Sequence, residues 1–328
     1  MATANPTVPS AGPIVGPRSF LSRLRDGDEI ARLLTFIFAG IVVLITLLLV
    51  YELWVNSALP RHKFGLHFFV TDVWDPVMDE YGALPFIYGT LVTSGVALLL
   101  AIPLGIGASI FLAELAPARI SDTLQFFIDL LAAVPSVIYG LLGVFIVVPM
   151  MRTVIYPALN KPLGFLPIFK GPSYGVGFFT AGIVLAIMVI PYIISVSREV
   201  LLSVPRDQRE AALALGSTRW ESTWKVVVPF AKTGIMGSIF LALARALGET
   251  MAVTMVIGNT PKIAASLFAP GYSIAAVIAN EFTEATGDLY LQSLIGLGLV
   301  LFLLTFVLNG LARLLIVVTT QKGSGVGR

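Results

Sequence analysis

The chain has 328 residues, of which 57% are hydrophobic and only 12% are charged. Its mean hydropathy of +0.91 is far above that of a soluble domain. A net charge of +2 with scattered basic residues argues against nucleic-acid binding. The absence of cysteine excludes disulfides and thiolate metal sites, and we expect its two histidines, His62 and His67, to be solvated rather than to bind metal. These properties predict an all-α integral membrane protein.

Six apolar runs predict six transmembrane helices, because each reaches about the 20 residues that a helix needs to cross the hydrocarbon core. Prolines at positions 103, 135 and 191 fall inside the second, third and fourth runs and predict kinks there. We expect a flexible tail at 1–32, a C-terminal tail at 319–328 and a charged loop at 198–232. The predicted spans are 33–55, 84–113, 123–150, 178–197, 233–258 and 289–318.

The distribution of basic residues predicts that both termini lie in the cytoplasm. Fourteen lysines and arginines fall on the side of the termini and six on the other side, as the positive-inside rule requires. The first run follows several arginines but is too long for the apolar core of a signal peptide. We therefore expect an uncleaved first helix and an N-in, C-in topology.

The loop 198–232 contains a motif with fixed spacing. Glu210-Ala211-Ala212 is followed by Gly216, and then by Val226-x-Val228-Pro229. This spacing resembles the EAA signature of ABC importer permeases, with valines in place of isoleucine and leucine. The alternative is an ordinary amphipathic loop. We expect Gly216 to end a short helix as a glycine cap.

The resemblance to EAA-motif permeases implies a type I ABC importer fold of the MetI-like kind. In that family the short helix sits in a groove of a separate ATP-hydrolysing subunit. The residues expected to couple the chain to that subunit are Arg209, Glu210, Ala211, Ala212, Leu213, Gly216 and Pro229.

The sequence contains no G-x-x-x-x-G-K-[ST] loop, so we expect ATP and magnesium to bind to another polypeptide and not to this one. It also contains no H-E-x-x-H motif and no Ser/His/Asp arrangement suited to catalysis. We therefore expect a transport subunit without a cofactor and not an enzyme.

Arg245 and Glu249 lie near the middle of the fifth run. A charge at a helix centre costs roughly 2.5–3.5 kcal/mol even on lenient insertion scales, so such residues usually have a function. At a spacing of four they would share one helix face and pair. A guanidinium also matches an oxyanion, since its donors form a planar fork. The alternatives are an anion site with its own counter-ion and a structural ion pair.

Small residues at 234, 238 and 242, and again at 244, 248 and 252, form two faces of the fifth run. Small side chains let membrane helices approach closely. We expect both faces to serve helix packing and not ligand binding.

Two further stretches of sequence restrict the resemblance to one type of EAA-motif permease. Residues 74–94 read WDPVMDEYGALPFIYGTLVTS and residues 242–259 read ALARALGETMAVTMVIGN. With the EAA loop, they resemble the PstC-type permeases of phosphate-specific ABC importers over about residues 64–310. The resemblance implies a multi-pass cell-membrane protein that forms a path for inorganic phosphate, with Arg245 and Glu249 on it. It also implies a PstA-type second permease, two PstB-type ATP-binding subunits and a PstS-type extracytoplasmic phosphate-binding protein.

Three alternatives stay open at the level of sequence. The PstA-type partner carries related motifs, and a permease for sulfate or molybdate would have the same architecture, because arginine binds all these oxyanions. A self-contained secondary transporter or channel is a different class, and the inverted repeat typical of it is not evident.

Overall fold

The computed structural model describes residues 28–171 and 174–321. The N-terminal tail up to residue 27 and the C-terminal tail from residue 322 lie outside the described residues. The chain divides into two compact units, Met1–Glu52 and Leu53–Arg328. Most of helix α1, Asp28–Val55, belongs to the first unit. It begins at Asp28 and not at residue 33 as predicted, and Glu29 suits the positive end of a helix dipole.

The second unit is built from helices and one short hairpin. Strands β1 (Trp74–Asp75) and β2 (Glu80–Tyr81) pair antiparallel, with Trp74 opposite Tyr81. The helices are α2 Ala58–Phe64, α3 Leu84–Ile110, α4 Ala118–Ala132, α5 Ser136–Leu142, α6 Val148–Met150, α7 Tyr156–Leu163, α8 Phe178–Leu202, α9 Arg206–Ala214, α10 Arg219–Ser222, α11 Val228–Leu247, α12 Met251–Val256, α13 Ile274–Glu281 and α14 Asp288–Gln321.

Six helical stretches in the described residues are long and apolar enough to cross a membrane, as predicted. Several of them contain π-helical turns. Those at Gly143–Val147, Met151–Ile155 and Thr223–Val227 join consecutive helices, whereas Phe111–Leu115 continues α3 to the end of the second span. The spans are Glu29–Val55, Leu84–Leu115, Ser136–Leu163, Phe178–Leu202, Arg219–Leu247 and Asp288–Leu314.

The third span differs from the predicted 123–150. Helix α4 ends at Ala132, and Pro135 precedes the first residue of α5 with an extended backbone at ψ 141°. The residue before a proline avoids the helical conformation, so the helix is interrupted before Pro135. The third span therefore starts at Ser136, and it continues to Leu163. Pro135 therefore begins a helix, whereas Pro103 and Pro191 lie inside α3 and α8 as predicted.

The fifth span also differs from the predicted 233–258. Its helical stretch starts at Arg219 and α11 ends at Leu247, where Gly248 caps it. Residues 248–250 are not helical, and α12 starts at Met251. Because glycine carries a high conformational entropy, it is a common stop signal even within an apolar run. The predicted loop 198–232 is correspondingly shorter, since α8 continues to Leu202.

Helices α3 and α8 pack along each other at the centre of the second unit. Close approach depends on glycine in several places: a Cβ added at Gly234 would lie 2.3 Å from Val200. In the same predicted small-residue face, Ser238 shares a hydrogen bond with Ser197 at 2.7 Å and Ala242 is fully buried. The second predicted face is corrected, because Ala244 and Gly248 are exposed and the break at 248–250 ends the helix.

An aromatic cluster supports the hairpin beside α13 and α14. Trp74 lies edge-on to Tyr81 and Phe86 with centroids 4.9 Å apart in both pairs. The carboxylate of Glu281, at the end of α13, accepts hydrogen bonds from Trp74 Nε1 at 2.9 Å and from the Tyr290 hydroxyl at 2.7 Å. Burial, followed by the charge of Asp79, raises the pKa of Tyr81 to about 12. Tyr81 is therefore neutral in this cluster at ordinary pH.

Gly89 on α3 provides a direct test of this packing. A Cβ at Gly89 would lie 2.0 Å from the backbone oxygen of Tyr272, whereas a Cβ at Gly95 on the same helix has no neighbour within 4 Å. We expect Gly89→Ala to destabilise the protein by about 1–3 kcal/mol, the usual cost of overpacking. Gly95→Ala is the matched control and should be neutral. The measurement is thermal unfolding of both purified variants, and equal melting temperatures would contradict the packing.

Candidate functional site

Arg245 lies in the last turn of α11 and is half-buried. Its guanidinium carbon is 4.1 Å from the centre of the Tyr192 ring on α8, which is the geometry of a cation–π contact. Its Nε atom is buried and has no hydrogen-bond partner among the described residues. A buried donor without a partner is uncommon in folded proteins. Arg245 is thus held by an aromatic ring while part of its donor capacity is unused.

The neighbours of Arg245 are tyrosines that contact the end of α4. The Tyr192 hydroxyl donates to the carbonyl oxygen of Ala132 at 3.0 Å, and the Tyr139 hydroxyl donates to that of Leu131 at 2.7 Å. The carboxyl end of a helix carries a partial negative charge. The break between α4 and α5 therefore places a polar helix end beside the tyrosine that contacts Arg245.

The predicted ion pair between Arg245 and Glu249 does not form. Glu249 lies in the break after α11, so the two residues do not share one helix face. The Oε1 atom of Glu249, the residue before the N-cap Thr250, instead accepts the backbone N–H of Ala252 at 3.2 Å. It thereby satisfies one of the free N–H groups at the start of α12. The hypothesis that Glu249 is the resting counter-ion of Arg245 is corrected, because Gly248 ends the helix between them.

A second polar cluster, which was not predicted from the sequence, lies between α4 and α8. Asp129 accepts hydrogen bonds from Ser195 Oγ at 2.6 Å and from Gln125 Nε2 at 2.7 Å. Asp129 falls inside the run 123–150 that was predicted to cross the membrane. The cost argument that identified Arg245 applied equally to this carboxylate, so the signal was present in the sequence.

The EAA segment forms α9 and the turn after it. Gly216 has φ +86°, and the N–H groups of Gly216 and Ser217 bond the carbonyls of Leu213 and Ala212 at 2.9 and 3.2 Å. This is the Schellman arrangement that a glycine after a helix makes possible. Gly216 thus ends α9 as predicted.

Most of the predicted coupling residues are exposed on this segment. Glu210, Ala211, Leu213 and Gly216 are exposed and Ala212 is buried, so α9 presents one face outward and packs by the other. Pro229 is exposed at the second residue of α11, directly after the π-helical turn Thr223–Val227. Arg209 differs from these residues, since its guanidinium contacts Glu114 in the turn after α3.

Residues 105–316 match the family model described as binding-protein-dependent transport system inner membrane component. The chain belongs to this family. The six apolar helices among its described residues and this membership make it a multi-pass plasma-membrane protein and a transport subunit.

Curated relatives cover most of the chain. A protein of Mesorhizobium japonicum named phosphate transport system permease protein PstC is 46% identical over 280 residues, which are 84% of this chain and 86% of the relative. A Pasteurella multocida protein of the same name is 50% identical over 263 residues, 79% of this chain and 82% of the relative.

A solved structure has the same fold. It is a chain of a bacterial ABC transporter involved in the import of the acidic polysaccharide alginate, with a TM-score of 0.59 and 17% identity over 90% of this chain and 97% of that one. The architecture is therefore that of a type I, MetI-like ABC importer permease.

The capping contact of Glu249 predicts different effects for two substitutions. Glu249→Ala removes the acceptor for the Ala252 N–H and should cost about 1 kcal/mol of stability. Glu249→Gln retains an acceptor oxygen and should be close to neutral. Thermal unfolding of both variants tests this, and a Gln variant as unstable as the Ala variant would rule out the cap.

Proposed function

We propose that this chain is a permease subunit of an ATP-driven importer and that it forms, with a homologous permease, the path for inorganic phosphate. The observation that carries the proposal is the arginine at the end of a membrane helix with a buried, unused donor. Its family membership, and relatives of about half-identical sequence named as phosphate permeases, support the choice of phosphate.

The proposal includes partners that this family's function requires. A PstA-type permease completes the path, two PstB-type subunits bind ATP and Mg²⁺, and a PstS-type protein delivers phosphate from outside. Both termini lie in the cytoplasm, which puts α9 on the side of the ATPase subunits and the hairpin Trp74–Tyr81 outside. The exposed face of α9 and the absence of a phosphate-binding loop from the sequence support this division of labour.

Arg245 supplies the favourable charge that phosphate needs in a low-dielectric path. The attraction between opposite charges rises as the surroundings become less polar, so one guanidinium offsets part of the cost of dehydrating the anion. Because no carboxylate of the described residues forms an ion pair with Arg245, the anion displaces no competing partner. The Tyr192 ring holds the guanidinium in place without using its donors.

Glu249 is the second residue of the proposed path. It is half-buried at the break that follows Arg245. A carboxylate near an anion path opposes long residence of the anion, since like charges repel. Attraction at Arg245 and repulsion at Glu249 together favour passage of phosphate over stable binding.

Replacing Arg245 tests the proposal most simply. A hydrogen bond to a charged group is worth about 1.5–3 kcal/mol, so Arg245→Ala should lower phosphate uptake by about 10- to 100-fold or more. Arg245→Lys keeps the charge and should retain part of the activity. Uptake of labelled phosphate is measured in cells lacking other phosphate importers, and copurification of the partner subunits shows that the complex still assembles. Normal uptake by the alanine variant would refute the role of Arg245.

Tyr192 offers a matched pair of variants. Tyr192→Leu removes the ring under Arg245, a contact worth about 0.5–2 kcal/mol, and should lower uptake about two- to thirtyfold. Tyr192→Phe keeps the ring, loses only the bond to Ala132 and should transport nearly normally. If both variants were equally impaired, the hydroxyl bond and not the ring contact would position Arg245.

A further inference from the structure

Arg209 and Glu114 form an ion pair between α9 and the turn that ends the second span. The Nη2 atom of Arg209 is 2.8 Å from Oε1 of Glu114, and its Nε is 3.2 Å from both carboxylate oxygens. Two donors of one guanidinium facing one carboxylate are the bidentate arrangement, which fixes orientation as well as distance. The pair therefore sets both the position and the angle of α9 relative to that turn.

The remaining donors of Arg209 fasten the same side chain to the end of α8. Its Nη2 also donates to the carbonyl oxygen of Leu201 at 2.7 Å, and its Nη1 donates to that of Val204. These carbonyls belong to the last residues of α8 and the turn after it, where helix carbonyls lack intrahelical partners. Arg209 thus joins three segments: α9, the end of α8 and the turn Phe111–Leu115.

The pair is largely shielded from solvent. The side chains of Arg209 and Glu114 are 20% and 10% exposed. In the ion pair between Arg198 and Asp122, by contrast, the carboxylate side chain is 75% exposed. Exposed ion pairs contribute little, whereas breaking a buried one leaves a charge without compensation.

The Arg209–Glu114 ion pair lies between two surface grooves and an apolar cluster. Open grooves of about 370 and 220 Å³ flank the pair, and both are lined by Glu114 and Arg209. The apolar cluster beneath them packs the ends of α3, α8 and α11 together and includes Ile110, Leu201 and Val227. Because Arg209 bonds the backbone of Leu201 and Val204, which both belong to that cluster, the ion pair connects α9 directly to the helices that the cluster packs together.

We propose that Glu114 is a positioning residue for coupling, and that its ion pair with Arg209 transmits the movement of α9 to α3, α8 and α11. The inference rests on the proposed function, since it requires an ATPase subunit that moves α9. Arg209 then acts inside this chain and not as a contact of the ATPase. Glu114 lies in a π-helical turn, and such turns are frequent at functional sites.

The test measures uptake and ATP hydrolysis together. The complete transporter is reconstituted in proteoliposomes with its phosphate-loaded binding protein, and the ratio of ATP hydrolysed to phosphate imported is determined. We expect Glu114→Gln to assemble and hydrolyse ATP while this ratio rises at least about fivefold, the lower end of typical coupling energies. The control Asp122→Asn removes the exposed ion pair with Arg198 and should leave the ratio unchanged.

Two further variants separate coupling from folding. If the pair acts as a unit, the double variant Glu114→Gln/Arg209→Gln should be no worse than Arg209→Gln alone, because the contact is already lost. The chain has no native cysteine, so Glu114→Cys/Arg209→Cys can be joined by a short bis-maleimide, which should restore a low ratio.

Three outcomes would overturn the inference. They are a normal ratio in Glu114→Gln, equal effects of Glu114→Gln and Asp122→Asn, and a parallel fall of uptake and hydrolysis with an unchanged ratio, which is the signature of a purely structural role. The wild-type transporter in the same assay reports on the proposed function by itself. If the wild-type transporter does not import phosphate, the proposed function is rejected. If it does import phosphate but the variants do not behave as predicted, only the coupling role of the Glu114–Arg209 ion pair is rejected.

Discussion

A guanidinium at the end of an apolar helix is the feature on which the rest of the account depends. It is stacked on an aromatic ring and is not paired with a carboxylate of the residues that the structure describes. Its charge is costly in a membrane, and the cation–π contact with Tyr192 offsets only part of that cost. Two helix breaks build its surroundings: one at Pro135 turns the end of α4 toward Tyr192, and one at Gly248 removes Glu249 from the face of Arg245. In the proposed path, an anion would meet this positioned charge.

The EAA segment has a different physical requirement under the proposed function, since it must be accessible to a partner subunit and also fixed to its own chain. Helix α9 meets both demands with different residues. Glu210 and Leu213 are exposed, whereas Ala212 is buried and Arg209 is held by Glu114 and by the end of α8. The cluster at the ends of α3, α8 and α11 then connects this segment to α11, whose last turn carries Arg245.

The sequence predicted those features that depend on composition or local spacing. Long apolar runs located six spans, and Gly216 was identified as a cap because glycine alone adopts positive φ without strain. Breaks inside apolar runs were missed, since residues around Pro135 and Gly248 are as apolar on average as a continuous helix. The pair of Arg209 and Glu114 spans 95 residues, and no local pattern indicates such a contact. The sequence pattern likewise did not show that Glu249 accepts the Ala252 N–H at the start of α12, because the end of α11 at Leu247 was not predicted.

The most direct measurement of the central claim is ATP-driven phosphate uptake by proteoliposomes that hold the complete transporter, with and without excess sulfate or molybdate. The account predicts that phosphate uptake requires ATP and the binding protein. It also predicts that a large excess of sulfate or molybdate leaves this uptake nearly unchanged. Import of sulfate or molybdate in place of phosphate, or phosphate flux that continues without ATP, would contradict it.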